Sequence, residues 1–194
     1  MDQSFVRVVV IVGSTRGGRC ALTITSWFTD RARQRPDVVV DILDLAEVSL
    51  PTALAPRIGD DAPDDTGEIA ARLHAADAFV VVTPEYNHSY PASLKTAIDW
   101  FNVEWHAKPV GFVSYGGMSG GLRAVEHLRH VFAELHATTV RNTVSFANFW
   151  DHFDGSGRLV RPEAFDRAAA RMLDQLVWWA RALRAAREEH PYIG

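Results

Sequence analysis

The sequence predicts an α/β protein in which helices cover both faces of a five-stranded parallel sheet. Short apolar runs rich in β-branched residues occupy positions 6–12, 38–43, 79–83 and 110–114, and a weaker run lies at 138–145. Runs of this length in which apolar residues predominate are typical of strands that are buried on both faces. Segments with helical spacing separate the runs, and this alternation of strand and helix indicates parallel pairing.

Capping signals and apolar stripes locate the predicted helices. One helix opens at Asp65, with Glu68 as its capping-box partner. Pro91 suits the first turn of a helix over residues 92–101, and Pro162 can open the last helix in the same way. Two apolar stripes at helical spacing mark the longest helices: Leu122, Val125, Leu128, Phe132 and Leu135, and then Phe165, Ala169, Met172, Leu176, Ala180 and Leu183.

The number of strands suggests their order. Five strands that alternate with helices fit the 2-1-3-4-5 order of the flavodoxin-like fold. The longest irregular stretch, at positions 45–63, is predicted to be a surface excursion because the pattern resumes in phase after it. No boundary is visible along the chain, so residues 1–194 are expected to form a single domain.

Composition narrows the class of protein. The chain has 194 residues, of which 47% are hydrophobic and 23% charged, as in ordinary globular proteins. Twenty basic against 24 acidic residues give a formal charge of −4, and no basic run suggests a nucleic-acid partner. The single cysteine, Cys20, and the spacing of the histidines predict no metal site. No segment resembles a signal peptide or a membrane span, so a cytoplasmic protein without membrane contact is expected.

The loop after the first strand has the composition of an anion site. Residues 13–19 read Gly-Ser-Thr-Arg-Gly-Gly-Arg and lead into a helix, where free backbone N–H groups and the helix dipole favour negative charge. The hydroxyls of Ser14 and Thr15 add donors, and Arg16 can hold a phosphate through two parallel hydrogen bonds.

The loop lacks residues that two known phosphate-binding patterns require, and this indicates which phosphate compound fits it. The triphosphate-binding pattern requires Lys and then Ser or Thr where this chain has Arg19 and Cys20. The dinucleotide pattern requires a glycine where Thr15 stands. A terminal monophosphate that is bound and not cleaved fits what remains, and FMN carries one. A tight turn whose glycines serve only geometry is the alternative.

The loop after the third strand suits a flat ring. Residues 84–91 read Pro-Glu-Tyr-Asn-His-Ser-Tyr-Pro, and the proline at each end restricts the backbone. Tyr86 can lie against an aromatic ring, contributing about 1 kcal/mol, and Asn87 offers both a donor and an acceptor to a ring edge. The alternative is a proline-bounded turn in which Ser89 caps the next helix.

These two loops resemble those of the NADPH-dependent FMN reductases, a family that includes azoreductase-like and quinone-reductase-like flavoproteins. The resemblance rests on residues 13–16 and on the run Pro-Glu-Tyr-Asn-His-Ser-Tyr-Pro-Ala-Ser-Leu-Lys at 84–95, and it extends from the first strand through the fourth helix. It implies that Ser14, Arg16 and the amides up to Arg19 hold the FMN phosphate. Many relatives carry Ser and Asn shortly after the arginine, whereas this chain has Arg19 and Ala21.

The glycine-rich loop after the fourth strand completes the predicted site. Residues 114–121 read Ser-Tyr-Gly-Gly-Met-Ser-Gly-Gly, and glycines allow a close backbone approach to a ligand. The resemblance places this loop near the flavin, and a mobile turn is the alternative. The predicted cofactor-binding residues are Ser14, Thr15, Arg16, Gly17, Gly18, Arg19, Pro84, Glu85, Tyr86, Asn87, Ser114, Tyr115, Gly116 and Gly117.

A cluster of large apolar residues follows the third predicted helix. Trp100, Phe101, Val103 and Trp105 exceed what a short helix end can bury, so they belong to the core or to a partner surface. The resembled family is commonly dimeric or tetrameric. A homodimer or homotetramer is therefore expected.

The predicted activity is hydride transfer from NADPH or NADH to FMN, followed by reduction of a small acceptor such as a flavin, quinone, azo compound or metal oxyanion. The flavin carries such chemistry, so no side chain is predicted to be a catalytic acid or base. The sequence leaves open the acceptor, the choice between NADPH and NADH, and the size of the oligomer. Two alternatives remain: a flavodoxin-type electron carrier without nicotinamide turnover, and a flavin-free relative that binds another phosphorylated ligand or a protein partner.

Overall fold

Six parallel strands form one sheet in the computed structural model, which describes residues 5–53 and 64–193. Their order is β2-β1-β3-β4-β5, with β6 paired to β4, so the predicted flavodoxin-like order is confirmed with one strand added. The strands are β1 (Val6–Val12), β2 (Val38–Asp44), β3 (Ala78–Pro84), β4 (Pro109–Gly116), β5 (Thr138–Thr139) and β6 (Val144–Ala147).

Helices cover both faces of this sheet, as predicted. They are α1 (Ala21–Arg33), α2 (Asp64–Ala75), α3 (Ala92–Asp99), α4 (Leu122–Glu134) and α5 (Glu163–Glu189), with short 3₁₀ turns at Val103–Trp105 and Phe149–Asp151. Alternate residues of β1 serve opposite faces: Val8 and Val10 pack with α1 and α5, whereas Val9 and Ile11 pack with α2, α3 and α4. None of the helices among the described residues is both long and apolar enough to cross a bilayer.

Most predicted helix starts agree with the structure. Pro91 and Pro162 occupy the N-cap positions of α3 and α5, one residue before the first helical turn. Helix α2 begins at Asp64, one residue before the predicted start; the structure describes the backbone of Asp65 but not its side chain, on which the predicted cap depends. The predicted surface excursion at 45–63 lies partly outside them as well.

The fifth predicted strand is two short strands rather than one. Strand β5 pairs with the start of β4 and β6 with its end, and the chain between them leaves the ladder. Side chains from two helices hold the backbone at this break: Arg129 donates to the carbonyls of Val140 and Arg141, and the amide of Asn142 donates to Gln175. The apolar pattern continues through the break, so it does not reveal these distant partners.

The aromatic cluster after α3 belongs mainly to the core. Trp100, Phe101 and Trp105 are only 7%, 5% and 1% exposed, whereas Val103 is 64% exposed. The indole N–H of Trp105 donates to the carbonyl of Phe101 at 2.9 Å, so this buried donor has a hydrogen-bond partner. Three of these four residues are therefore unavailable as a partner surface.

Candidate functional site

Three loops meet at the carboxyl edge of the sheet, after β1, β3 and β4. The hydroxyl oxygens of Ser14 and Tyr86 lie 3.0 Å apart, within hydrogen-bond distance, and Ser14 is fully buried, so its hydroxyl joins the first loop to the second. The amide of Glu85 donates to the carbonyl of Tyr115 at 3.0 Å and joins the second loop to the end of β4. Tyr115 is likewise buried, and that burial raises the pKa of its phenol above the usual value.

The first loop presents an open, cationic turn. Thr15, Arg16, Gly17 and Gly18 are exposed. A Cβ built on Gly17 or Gly18 would meet nothing within 4 Å, so space is free beside the backbone. Arg16 has no hydrogen-bond or ion-pair partner among the described residues. These are properties of a turn that can receive an anion.

The side chain of Arg19 is placed differently from that of Arg16. Its guanidinium pairs with both carboxylate oxygens of Asp44 at the end of β2, at 2.5 and 2.6 Å, and donates to the carbonyl of Ser14 at 2.7 Å. Because Arg19 donates these hydrogen bonds to the carboxylate of Asp44, the pKa of its guanidinium is raised. Arg19 was predicted to be part of the cofactor site, and its side chain is engaged inside the protein.

The second loop owes its shape to a tight turn. The amides and carbonyls of Tyr86 and Ser89 exchange two hydrogen bonds, at 2.8 and 3.0 Å. The two residues between them have positive φ, +48° at Asn87 and +74° at His88, as in the type I′ turns that join paired strands. Asn and His are among the side chains that tolerate this region, so the sequence contained a signal that the flanking prolines obscured.

Glu85 ties the second loop to the third. Its carboxylate accepts hydrogen bonds from the hydroxyl of Ser119 at 2.6 Å, from the guanidinium of Arg123 at 3.0 Å and from the Arg123 amide at 3.2 Å. Burial alone would raise the pKa of Glu85, but these hydrogen bonds outweigh it and the pKa lies below its usual value. Ser119 and Arg123 gave no signal in the sequence, because nothing there pairs them with a residue so distant in the chain.

The third loop is closed by its own glycines. Ser114 and Ser145 both donate to the carbonyl of Gly120, at 2.8 and 2.9 Å. Gly121 has φ +85°, and a Cβ there would lie 2.7 Å from the Cβ of Ser114, so only glycine fits. Gly116 is buried, and Gly117 faces the surface in part.

An exposed aromatic ring borders this loop. A Cβ on Gly117 would lie 3.8 Å from Cη2 of Trp150, which is 57% exposed. Trp150 packs edge-on against Phe149 with ring centroids 5.1 Å apart, and Phe149 in turn packs edge-on against Tyr115 at 5.4 Å. Sequence reasoning missed Trp150, because the chain after β6 was not assigned to the site.

Two cavities help to locate the ligand site. One of about 380 Å³ opens beside Thr15, between the loop after β2 and the start of α3, where Ser93 contributes to its wall. A cavity of about 510 Å³ lies at the opposite edge of the sheet, where Lys108 donates to the carbonyls of Leu73 and His74. We assign the site to the carboxyl edge, because open α/β sheets bind ligands there. Among the described residues, no cluster of three or more His, Cys, Asp or Glu side chains could hold a metal ion.

The strand order defines a flavodoxin-like protein, and its candidate ligand site is the carboxyl edge of the sheet, where these loops meet. The chain matches the NADPH-dependent FMN reductase family over residues 6–151, most of its length. It therefore belongs to that family, as the resemblance of its loops indicated.

Individual relatives support the same assignment. The NAD(P)H-dependent FMN reductase of Schizosaccharomyces pombe is 35% identical over 130 residues, which span 64% of this chain and 64% of that relative. The FMN-dependent NADPH-azoreductase of Staphylococcus aureus is 29% identical over 179 residues, 87% of this chain and 92% of that one. FerB, a flavoenzyme NAD(P)H:(acceptor) oxidoreductase from Paracoccus denitrificans, shares the fold with a TM-score of 0.68 at 21% identity, over 90% of this chain and 97% of FerB.

Proposed function

We propose that this chain is a flavin-dependent reductase that holds FMN at the carboxyl edge of its sheet and uses NADPH or NADH to reduce a small acceptor. The observation that carries the proposal is the meeting of three loops at one edge, beside an exposed turn on which Arg16 has no partner within the described part of the chain. Membership of the NADPH-dependent FMN reductase family and the names of the relatives support it.

The residues of the first loop fit the phosphate of FMN. Arg16 supplies the charge and two parallel donors, and the exposed backbone at Gly17 and Gly18 leaves room for an anion. Asn87 is exposed and Gly117 is partly exposed at the same edge, and we assign the flavin ring to the two loops that contain them.

The chain's own residues bind and orient the cofactor rather than react. When bound, FMN supplies the hydride and electron chemistry. The hydroxyls of Ser14 and Ser114 are both engaged in internal hydrogen bonds, so neither is available as an acid or base. Glu85 is likewise held by three donors. We therefore name no catalytic side chain.

A spectrum and a steady-state assay test this proposal. The full-length chain is purified with FMN, and we expect flavin absorbance together with continuous oxidation of NADPH or NADH when a quinone is present. Bound flavin without nicotinamide turnover would instead indicate a flavodoxin-type carrier. The absence of any flavin binding would contradict the proposal as a whole.

Trp150 favours planar aromatic compounds as acceptors. Its exposed ring lies beside Gly117, next to the surface that we assign to the flavin. Stacking a flat acceptor against an aromatic ring contributes about 1 kcal/mol, so Trp150→Ala should raise the KM for a quinone roughly fivefold. Ferricyanide, which has no aromatic face, should show no change, and an equal loss for both acceptors would contradict this role.

We also propose a homo-oligomer, as the family resemblance implies. Met118 and Leu122 border the same site and are 83% and 48% exposed, so both apolar side chains are accessible to a second copy of the chain. Light scattering after gel filtration should give a mass of at least two chains. A monomeric mass would contradict the proposal.

A further inference from the structure

A largely buried ion pair joins the first loop of the candidate site to the end of β2. The guanidinium of Arg19 meets the carboxylate of Asp44 through two parallel hydrogen bonds, at 2.5 and 2.6 Å. The two side chains are only 12% and 7% exposed. This pair therefore lies under the loop rather than on its open surface.

The pair also fixes the backbone on both sides of the site. Arg19 donates to the carbonyl of Ser14 at 2.7 Å, and one oxygen of Asp44 accepts from the amide of Ala46 at 3.0 Å. Ser14 is the residue whose hydroxyl joins the loops after β1 and β3. A movement of Arg19 would thus release the start of the exposed turn.

We infer that Arg19 and Asp44 are positioning residues that hold the first loop in the shape in which it receives a phosphate. The inference rests on the proposed function, in which this loop binds the phosphate of FMN. In this arrangement Arg16 contacts the phosphate directly, and Arg19 acts through Ser14.

Charge and burial argue against the other role for Arg19, that of a direct phosphate ligand. To reach an anion in the open turn, its guanidinium would leave Asp44 and the carbonyl of Ser14. The carboxylate of Asp44 would then be a buried charge without its partner, which is strongly unfavourable. Arg16 already offers a cation at the turn without this cost.

Asp44→Ala distinguishes the two roles of Arg19, because they predict opposite changes in FMN affinity. If the pair positions the loop, the variant should bind FMN about tenfold more weakly, the loss expected when a hydrogen-bonded charge pair no longer orders a binding loop. If Arg19 were a phosphate ligand, removal of Asp44 would free it and delete a competing negative charge, so FMN would bind more tightly. The dissociation constant is measured by fluorescence titration of the full-length chain with FMN.

Riboflavin and a second variant separate positioning from general damage to the fold. Riboflavin lacks the phosphate, so its affinity should change by less than about twofold in Asp44→Ala. Asp44→Asn keeps one acceptor oxygen and should lose less FMN affinity than Asp44→Ala, in the same direction. It also decides the question if Asp44→Ala does not fold. Thermal unfolding without flavin reports the stability of each variant.

Asp41 provides the matched control. It lies on the same strand and forms the same bidentate pair, with Arg72 at 2.8 and 3.0 Å, but it does not contact the loop. Asp41→Asn should leave FMN affinity unchanged. Unchanged or tighter FMN binding in the Asp44 variants would overturn the inference, as would equal losses for FMN and riboflavin. A wild-type chain that binds no FMN would overturn the proposed function and this inference with it.

Discussion

Arg16 offers the sharpest test of the phosphate site. It is exposed on the turn after β1 and has no partner among the described residues, so its replacement removes no internal contact. A charged hydrogen bond to phosphate is worth about 1.5–3 kcal/mol. Because the guanidinium is exposed and screened by salt, the lower end applies, and Arg16→Ala should weaken FMN binding by roughly tenfold.

Comparison with riboflavin isolates the contact between Arg16 and the phosphate. We expect Arg16→Ala to lower the affinity for FMN but to leave that for riboflavin unchanged, because riboflavin shares the ring and lacks the phosphate. Titration of both flavins against both proteins by fluorescence quenching gives the coupling between residue and phosphate directly. Raising the salt concentration should reduce the difference between wild type and variant for FMN.

Arg33→Ala is the matched control for charge. Arg33 is also exposed and lies in the last turn of α1, a helix of 13 residues whose other end meets the first loop. The two ends of that helix are about 18 Å apart, beyond the screening length at physiological salt. FMN affinity should therefore be unchanged in Arg33→Ala. Equal losses in the two variants, or an equal loss for FMN and riboflavin in Arg16→Ala, would refute the assignment of the phosphate to this turn.

Three further predictions concern the stability of the site and the core. Gly121→Ala places a Cβ 2.7 Å from that of Ser114 at φ +85°. Thermal melting should therefore show a loss of roughly 2–4 kcal/mol in the free energy of unfolding. A Cβ at Gly155 meets nothing within 4 Å, so Gly155→Ala should change the melting temperature little. Because the pKa of Glu85 is lowered, its carboxylate stabilises the fold above about pH 4.3, and this stabilisation is lost as the pH falls through the folded-state pKa. In urea denaturation at pH 7, the free energy of unfolding of the wild type should exceed that of Glu85→Gln by about 1–2 kcal/mol. The two values should converge in acid. Burial lowers the pKa of Lys108 to about 8 in the folded chain, whereas its pKa in the unfolded chain is about 10.4. Between these two pH values the wild-type free energy of unfolding should therefore rise by at most about 3 kcal/mol relative to that of Lys108→Met. Parallel pH profiles of the two proteins would contradict this prediction.

The sequence sufficed where one local pattern determines one element. The predicted bounds of β1 coincide with the structure, because an apolar run that only Arg7 interrupts ends at the first glycine of the loop. The strand predicted at 138–145 is wrong as one element, because side chains on α4 and α5 hold the break between β5 and β6. Apolar periodicity reports which residues are buried, and it contains no information about where a strand leaves its partner.

The candidate site shows the same division. The three loops could be predicted to meet, since parallel strands present their carboxyl ends at one edge. Their internal links could not, because each joins residues that no short motif connects, such as Ser14 with Tyr86 and Arg19 with Asp44. Arg19 illustrates the consequence. In the sequence, Arg19 is a second cation beside the predicted phosphate loop. Only the structure shows that it pairs with Asp44 at the end of β2.

These links hold the loops of the candidate site in place through contacts within the protein. Ser14 joins the first loop to the second, and Glu85 joins the second loop to the start of α4. The carbonyl of Gly120 accepts hydrogen bonds from the hydroxyls of Ser114 and Ser145, so side chains from two strands hold the third loop. Ordering a loop on binding costs affinity, and loops that are already ordered avoid that cost. On the proposed function, we expect the polar groups that point inward at this edge to contribute to flavin affinity by ordering the loops, and the exposed turn at Arg16 to contribute through its charge.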